Sequence, residues 1–339
     1  MSDSEVRELA LNGVYENDPL SGTVEETHIS WVILTRRFAF KIKKPLKLSF
    51  LDFSTIELRK GKCERELLLN RRFSDIYLSV SPIYLVGGKW IIGGDHRTAV
   101  VDYCVVMRRM AVSKRLDNLL RKDTVKVKAM EALASQVAFF HNKAERIFIP
   151  FDIEKTRNTF KDIHTIVEVA SNNSKNQVRE IIKRSIDWSD TFLEKSRDRM
   201  QQRIDHGLRR DVHGDLHSAN IFLYTKPVLF DCIEFNDEFR QIDVLYEIAF
   251  LCMDLERFHH KRLAETFLNE YKKHFAAFQE REDDFIFMYF KCLRANIRAK
   301  VHALQGKQSK SKAEASFQIS AMRRYLVLMN EYMGAVAHV

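Results

Sequence analysis

The sequence predicts an α+β fold in which a small antiparallel sheet with one helix precedes a larger, mostly helical region. Up to about residue 108, short apolar and β-branched runs alternate with turn residues, as expected for hairpins. From Ala111 onward, apolar residues recur at helical spacing, as in Met130, Leu133 and Val137. This change of period predicts two domains, residues 1–108 and 109–339.

The composition is that of an ordinary globular protein. The chain has 339 residues, 45% of them hydrophobic, with only 11 Gly and 5 Pro. No charge-free apolar run reaches about 18 residues, and the first residues lack the basic start and apolar core of a signal peptide. The five cysteines are scattered without a C-x-x-C pair. We therefore expect reduced thiols, no membrane span and a cytoplasmic location.

The formal net charge of +9 suits a protein that binds polyanionic phosphates. The basic residues are mixed with acidic ones throughout, and no RNA-binding motif is present, so we do not expect nucleic acid as a partner. The same charge argues against a polycationic substrate.

The strongest functional pattern lies in residues 211–235, DVHGDLHSANIFLYTKPVLFDCIEF. His213-Gly214-Asp215 is followed by Asn220 and then by two short apolar runs, the second of which ends on Asp231. Apolar runs joined by a turn that contains Pro predict a β-hairpin. Because a hairpin brings its two ends side by side, Asn220 and Asp231 should lie close together.

These residue types suit phosphoryl transfer. A hydroxyl nucleophile needs a carboxylate to orient it, and Mg²⁺ prefers oxygen ligands such as those of Asp and Asn. The H-x-D-x-x-x-x-N spacing followed by an Asp is the pattern of kinases. Two alternatives are a plain surface hairpin and a metal hydrolase whose ligands are His213, Asp215 and His217. The hydrolase alternative leaves Asn220 and Asp231 unexplained.

HGDLHSAN and LFDCIEF resemble the aminoglycoside phosphotransferase-like and choline kinase-like family of the protein-kinase-like fold. The chain also resembles bacterial proteins described as aminoglycoside phosphotransferase family enzymes. The resemblance continues through THISWVILTRRFAFKIKKP and FLDFSTIELRKGKCERELLLNRR and covers roughly residues 25–300. It implies a bilobal fold, with an N-terminal nucleotide-binding lobe and a C-terminal catalytic and substrate-binding lobe. It also implies an ATP- and Mg²⁺-dependent kinase that phosphorylates a small-molecule hydroxyl.

The resemblance assigns roles to residues of the central motif. Asp215 would be the catalytic base that orients the acceptor hydroxyl, and His213 would hold the loop by hydrogen bonds. Asn220 and Asp231 would bind Mg²⁺. Glu234 is either a further metal ligand or a polar residue at the end of the strand.

The nucleotide would be held by residues of the N-terminal region. Phe38-Ala39-Phe40-Lys41 resembles the V-A-I-K strand of kinases, which makes Lys41 the nucleotide lysine. Lys43 points to the same face of the strand and is the second candidate. The acidic partner is expected on a helix over residues 55–73, begun by a capping box at Ser54, with Glu66 favoured over Glu64. Met107, at the end of the strand 100–107, would lie in the linker that meets the adenine.

The hairpin over residues 28–42 occupies the place of the glycine-rich kinase flap, but its turn, Thr35-Arg36-Arg37, has no glycine. Phosphate contacts would then come from these side chains. The departure also favours a rival hypothesis, a nucleotide-binding pseudokinase that acts as a scaffold. A kinase for protein hydroxyls is the other alternative, although no activation segment follows Asp231.

Four further expectations concern the remaining segments. Residues 1–24 should form a short helix and a loop, and residues 241–258 a helix. Asp243 either braces the catalytic loop or is a helix N-terminal acid. Lys291, Arg294 and Arg298 form a basic stripe that could face an anionic group, but a solvated helix face is the favoured interpretation.

Overall fold

The structure, a computed structural model, describes residues 1–48, 51–169, 175–309 and 311–336. The helices are α1 (Asp3–Asn12), α2 (Ile56–Asn70), α3 (Leu116–Arg121), α4 (Val127–Lys143), α5 (Ile153–Lys161), α6 (Lys175–Asp205), α7 (Val244–Arg257), α8 (Lys261–His274), α9 (Glu282–Gln308) and α10 (Lys312–Val336). The strands are β1 (Val14–Tyr15), β2 (Asp18–Pro19), β3 (Thr23–Glu26), β4 (Ser30–Leu34), β5 (Phe38–Lys43), β6 (Lys47–Leu48), β7 (Leu51–Asp52), β8 (Tyr77–Val86), β9 (Lys89–Ile92), β10 (Val100–Arg108), β11 (Arg209–Asp211), β12 (Ile221–Phe222), β13 (Val228–Leu229) and β14 (Gln241–Asp243).

By its internal contacts the chain divides into two compact units. The first unit contains Met1–Arg115, Asn220–Tyr224 and Val228–Phe239. The second unit contains Leu116–Ala219, Thr225–Pro227 and Arg240–Val339. The chain therefore enters the first unit a second time through the β12–β13 hairpin and the segment that follows it. The division into domains after residue 108 stays a prediction.

An eight-stranded sheet with the order β2-β1-β9-β8-β10-β5-β4-β3 forms the body of the first unit. Its pairs are antiparallel except for β1 and β9, which run parallel. Successive residues of β5 point to opposite faces of this sheet. Phe40 and Ile42 join an apolar cluster with residues of α1. Ala39 joins a second cluster that includes Cys63 of α2. The face of β5 that carries Lys41 and Lys43 is thus the one covered by α2.

Two expectations for the first unit need correction. The loop expected within residues 1–24 contains β1, β2 and the start of β3, which are short and mostly solvent-exposed and so lack an alternating pattern. Helix α2 begins one residue later than the capping box implied. Its N-cap is Thr55, whose side chain accepts the Leu58 N–H, whereas the Ser54 hydroxyl donates to Asp52.

The second unit is built mainly of helices, with α7 at its centre. Nearly every residue of α7 from Val244 to Leu255 is buried, which is the pattern of a helix surrounded by others. It begins later than the helix expected over 241–258, because Gln241–Asp243 pair as β14 with β11. In the part of the chain that the structure describes, no helix is long and apolar enough to cross a membrane.

Candidate active site

Two lysines and one glutamate form the centre of the site in the first unit. The Lys41 Nζ donates to Glu66 Oε1 at 2.8 Å, and the Lys43 Nζ donates to Glu66 Oε2 at 2.7 Å. The period of two on β5 places both ammonium groups on the face covered by α2. The two sequence candidates for the nucleotide lysine therefore share one carboxylate.

The helical geometry of α2 separates its two acidic candidates. Glu66 is fully buried beneath the sheet. Glu64 lies on the exposed side of α2, where its carboxylate is 3.8 Å from Lys60 Nζ. Of the two, only Glu66 contacts the lysines of β5.

The segment after β13 completes this cluster. Lys41 Nζ also donates to Asp231 Oδ1 at 2.6 Å. Lys43 Nζ donates to Glu234, whose side chain is almost fully buried. Sequence reasoning left Glu234 open between a metal ligand and a polar strand end, and in this structure it pairs with Lys43. In the sequence, this second acidic partner is indicated by Lys43 alone, which shares a face of β5 with Lys41 and so needs a carboxylate of its own if that face is buried.

The backbone at Asp231 is held in an uncommon conformation. Its φ of 63° is left-handed, a region that few residues other than glycine, asparagine and aspartate adopt. The Asp231 N–H donates to the Tyr77 hydroxyl at 2.9 Å, and the Cys232 N–H donates to Asn70 Oδ1 at 2.8 Å. These two bonds from β8 and α2 fix the direction of the Asp231 carboxylate, which remains 44% exposed.

The charges of this cluster depend on one another. Burial by itself would lower the pKa of Lys41, but Asp231, Glu66 and Glu234 raise it well above the usual range. Burial would likewise raise the pKa of Glu66, but Lys41 and Lys43 lower it to about 2. Lys41 and Glu66 are therefore both ionised at neutral pH. Burying ion pairs costs several kcal/mol per ion, so such a cluster is weak evidence for stability and better evidence for a functional site.

The β12–β13 hairpin brings Asn220 next to Asp231 in the chain fold. Ile221 pairs with Leu229, and the Phe230 N–H donates to the Asn220 carbonyl at 3.1 Å. An amide oxygen and a carboxylate oxygen are ligands that suit Mg²⁺. Asn220 and Asp231 therefore offer the oxygen ligands that Mg²⁺ prefers. In this structure the Asp231 carboxylate is bonded to Lys41. The described residues contain no group of three or more His, Cys, Asp or Glu side chains that could hold a metal.

The flap hairpin and Met107 have well-defined surroundings. The Thr35 hydroxyl accepts the Phe38 N–H at 3.0 Å and donates to the Phe38 carbonyl at 3.1 Å, which closes the glycine-free turn. Arg36 and Arg37 are exposed, and the Arg37 guanidinium lies over the Phe38 ring, 5.1 Å from its centroid. Met107 is buried within β10, where it pairs with Ala39 of β5.

In the second unit, α7 holds the loop that carries Asp215. Both carboxylate oxygens of Glu247 accept backbone N–H groups, from His213 and from Gly214, each at 3.0 Å. Asp254, two turns further along α7, accepts the Ser218 N–H at 2.9 Å. The sequence did not indicate either residue, because their contacts are with a loop about 35 residues earlier in the chain and local spacing carries no information about them.

Asp243 lies at the start of α7, where the family resemblance placed it, and its contacts bear on its role. Its side chain accepts the Leu245 N–H at 2.7 Å as the N-cap of α7 and forms an ion pair with Arg203. The N-terminal-acid alternative thus describes its contacts, and Glu247 is the residue that braces the loop.

Within the loop, the two histidines orient Asp215. His213 Nδ1 accepts the Asp215 N–H at 3.3 Å. His217 Nδ1 accepts the Ala219 N–H, which leaves the Nε2–H to donate to Asp215 Oδ2 at 3.3 Å. Burial would raise the pKa of Asp215, but His217 and Arg298 hold it well below its usual range. The carboxylate is therefore ionised and available to accept a hydrogen bond from a hydroxyl.

The expectation that Lys291, Arg294 and Arg298 form a solvated face is wrong. Lys291 and Arg294 are 6% and 8% exposed. Lys291 pairs with Glu256 at 2.7 Å, and Arg294 donates to the Gly214 carbonyl at 3.3 Å. The spacing identified the stripe correctly, but α9 lies inside the helical unit, so the stripe faces other helices.

The structure is similar to solved phosphotransferases over its whole length. It matches a choline/ethanolamine kinase family protein from Mesorhizobium loti with a TM-score of 0.53 and 11% identity, over 99% of each chain. It matches a spectinomycin phosphotransferase, solved with ADP and spectinomycin, with a TM-score of 0.52 and 12% identity, over 100% of this chain and 99% of that one. The chain has the kinase-like fold of these proteins. The α+β fold predicted from the sequence is thereby confirmed.

In amino-acid sequence, the chain is similar to proteins of mycobacteria. The chain is 30% identical over 316 residues to an uncharacterized protein of Mycobacterium tuberculosis, over 91% of this chain. The same figures hold for an uncharacterized protein of Mycobacterium bovis. The chain spans 59% of the length of these curated relatives. No family model matches.

Proposed function

We propose that the chain is an ATP-dependent phosphotransferase that transfers the γ-phosphoryl group to a hydroxyl of a small molecule. The observation that carries the proposal is the buried Lys41–Glu66 pair, whose ammonium group also reaches Asp231. Kinases bind Mg-ATP with a strand lysine that pairs with a glutamate of a helix, next to an aspartate that binds Mg²⁺. The kinase-like fold supports the same conclusion.

Each side chain has a role in this proposal. Lys41 binds the α- and β-phosphates and Glu66 holds it in place. Asn220 and Asp231 would hold Mg²⁺, which neutralises phosphate charge when it is bound. Lys43 and Glu234 hold the Asp231 segment against β5. Met107 lies at the end of the strand that would lead to the adenine.

Asp215 acts on the acceptor. Its ionised carboxylate accepts a hydrogen bond from the acceptor hydroxyl and directs the oxygen toward the γ-phosphorus. As the new P–O bond forms, the bond to the β-phosphate oxygen breaks, ADP leaves and the hydroxyl proton passes to Asp215. The low pKa of Asp215 makes it a weak base, so most of its contribution is orientation. His213 holds the loop and does not take the proton.

The experiment is an ADP-release assay with Mg²⁺ and a library of alcohols, combined with nucleotide-binding measurements. Asp215→Asn should lower turnover by about 10²–10⁴-fold and leave Mg-ATP affinity unchanged. Asp231→Asn and Lys41→Met should weaken Mg-ATP binding itself. Full turnover in the Asp215 variant would refute the role of this residue. Mg-ATP binding without turnover on any alcohol would favour the pseudokinase alternative.

A further inference from the structure

The carbonyl of Gly214, the residue before Asp215, is bound by an arginine of α9. Arg294 Nη2 donates to this carbonyl at 3.3 Å. The N–H of the same peptide belongs to Asp215 and donates to His213 Nδ1 at 3.3 Å. The peptide that leads into Asp215 is therefore held at both ends, at its oxygen by α9 and at its N–H by the loop itself.

Gly214 is the position at which this loop can most easily change direction. Its φ of 84° is left-handed, and glycine adopts left-handed and right-handed backbone with similar ease. A rotation of the peptide between Gly214 and Asp215 would change the direction of the Asp215 carboxylate. The bond from Arg294 opposes this rotation, because its acceptor is the carbonyl of the peptide that would turn.

Arg294 itself is fixed by α7. Its Nε donates to the Tyr246 carbonyl at 3.3 Å, and the residue is only 8% exposed. Its guanidinium lies over the rings of Tyr246 and Phe250, 3.7 and 4.6 Å from their centroids. A planar guanidinium held by two rings and a carbonyl loses little further freedom when it binds a second carbonyl. Arg294 is therefore a preorganised donor for Gly214.

The charge of Arg294 acts on Glu247, which binds the same turn through its N–H groups. The Glu247 carboxylate accepts the N–H groups of His213 and Gly214. Burial raises the pKa of Glu247 to about 7, and the Arg294 charge opposes that increase. Arg294 thus acts on the loop in two ways, directly through the Gly214 carbonyl and indirectly by favouring the ionised form of Glu247.

We propose that Arg294 is a positioning residue for the phosphoryl transfer, which holds the Gly214 carbonyl and supports the Glu247 carboxylate so that Asp215 stays directed at the acceptor hydroxyl. In this role Arg294 touches neither the acceptor nor the nucleotide. The assignment rests on the proposed phosphotransferase function and adds a residue of α9 to it. The alternative is a purely structural role, in which Arg294 only joins α9 to α7.

Lys291 provides the matched control on the same helix. It lies three residues before Arg294, is 6% exposed and pairs with Glu256 of α7 at 2.7 Å. Arg294→Met and Lys291→Met therefore each remove a buried cation between α9 and α7, but only Arg294→Met removes a bond to the Asp215 loop. A loss of stability is expected in both variants, so the experiments measure properties of the loop.

Amide hydrogen exchange measures the loop without any ligand. Peptides that cover residues 212–216 contain the N–H groups of His213, Gly214 and Asp215, each of which is bonded in this structure. Arg294→Met should speed exchange in these peptides about tenfold or more, because the turn opens more often. Lys291→Met should leave it unchanged. Wild-type exchange in Arg294→Met, or the same increase in both variants, would overturn the proposal.

The release of ADP from Mg-ATP, with water as the acceptor, measures catalysis. Arg294→Met should lower kcat about tenfold or more at pH 7 and leave the KM for Mg-ATP within about twofold, because only the direction of Asp215 changes. Arg294→Lys should recover part of kcat, since it keeps the charge but lacks the planar donors. A KM that rises as much as kcat falls would assign Arg294 to the nucleotide and contradict the proposal.

The pH dependence of kcat tests the action on Glu247. The ionisable groups that face its carboxylate are Arg294 of α9, Asp215 of the loop and Tyr271 of α8. Loss of the Arg294 charge should raise the pKa of Glu247 further, so kcat of Arg294→Met should rise with pH about one unit higher than in the wild type. Arg294→Lys and Lys291→Met should keep the wild-type midpoint. An unshifted midpoint in Arg294→Met would contradict the proposed support of Glu247.

The exchange measurement keeps this proposal distinct from the proposed function, because it needs no turnover. If the wild type released no ADP, the phosphotransferase function would be contradicted. Faster exchange in Arg294→Met alone would in that case still show that Arg294 holds the loop.

Discussion

Lys43 and Glu234 form a second ion pair beside the Lys41–Glu66 pair. Lys41 is buried except for 11% of its side chain and reaches Asp231, whereas Lys43 is completely buried between Glu66 and Glu234. The second lysine neutralises Glu66 whatever Lys41 does. In the proposed function, Lys41 would therefore exchange Asp231 for a phosphate without leaving a buried carboxylate uncompensated.

The first prediction concerns this second pair. Lys43→Met should lower the free energy of unfolding by about 3–5 kcal/mol, because it leaves two buried carboxylates with one lysine. Urea denaturation measures the effect. Adding Glu234→Gln to Lys43→Met should restore a substantial part of the loss, since the two residues are coupled. Independent, additive effects of the two substitutions would show that the pair does not act as a unit.

At the scale of elements, α7 is both a buried helix of the second unit and the support of the Asp215 loop. It is the most buried helix of its unit, yet Glu247 and Asp254 use its apolar surroundings to hold backbone N–H groups of the Asp215 loop. Burial raises the pKa of Glu247 to about 7, against the lowering effects of Arg294 and of the two backbone hydrogen bonds. The hold on the loop is therefore sensitive to pH.

The second prediction follows from this pKa. Glu247 can accept the N–H groups of His213 and Gly214 with both oxygens only when its carboxylate is ionised. Because these bonds hold the Asp215 loop, kcat should rise with pH through about 7. The free energy of unfolding should fall between pH 4.5 and about 7, because in that range the folded state binds a proton that the unfolded state has lost. Glu247→Gln should remove both dependences. If the rise in kcat persists in this variant, it belongs to another group, such as the nucleotide.

The third prediction concerns the flap formed by β4 and β5. Its turn is closed by Thr35, and Arg36 and Arg37 are exposed. If these side chains replace the backbone contacts of a glycine-rich flap, the double substitution to Gln should weaken Mg-ATP binding several-fold. The loss should shrink at high salt, because exposed charges are screened. Lys89→Gln, in the β8–β9 hairpin on the other side of β10, is the control and should have no effect.

At the scale of the molecule, the second unit depends on a buried ionic junction. Asp283 of α9 accepts from Arg199 at 2.7 Å and from Arg203 at 2.9 Å, both on α6. It also accepts the N–H groups of Gln279 and Glu280. Burial would raise the pKa of Asp283, but Arg199 and Arg203 hold it well below its usual range.

The fourth prediction is the loss of this junction. Asp283→Asn should lower the free energy of unfolding by about 3–5 kcal/mol at pH 7, because it leaves two buried arginines underneutralised. The stabilisation exists above the unfolded-state pKa of Asp and is lost as pH falls through the lower folded-state value. In urea denaturation, the difference in the free energy of unfolding between wild type and Asp283→Asn should therefore be smaller at pH 3 than at pH 7. A constant difference would contradict this explanation.

The sequence predicted the parts of the structure that local pattern determines. The alternation of β5 placed Lys41 and Lys43 on one face, and the apolar runs around Pro227 predicted the β12–β13 hairpin. It did not reveal which face of α9 is buried, because a basic stripe has the same spacing in solvent and against another helix. The loop contacts of Glu247 and the pairing of Glu234 depend on residues distant in the chain, and local spacing carries no information about them.

The left-handed backbone at Asp231 restricts which side chains this position can accept. A residue with a branched or bulky β-carbon would strain the main chain there, independent of its charge. Asparagine tolerates the conformation, so Asp231→Asn removes the charge alone, whereas Asp231→Val would alter geometry and charge together. In homologues of this chain, substitutions at position 231 should therefore be limited to a few small polar residues and glycine, including in homologues without phosphotransferase activity.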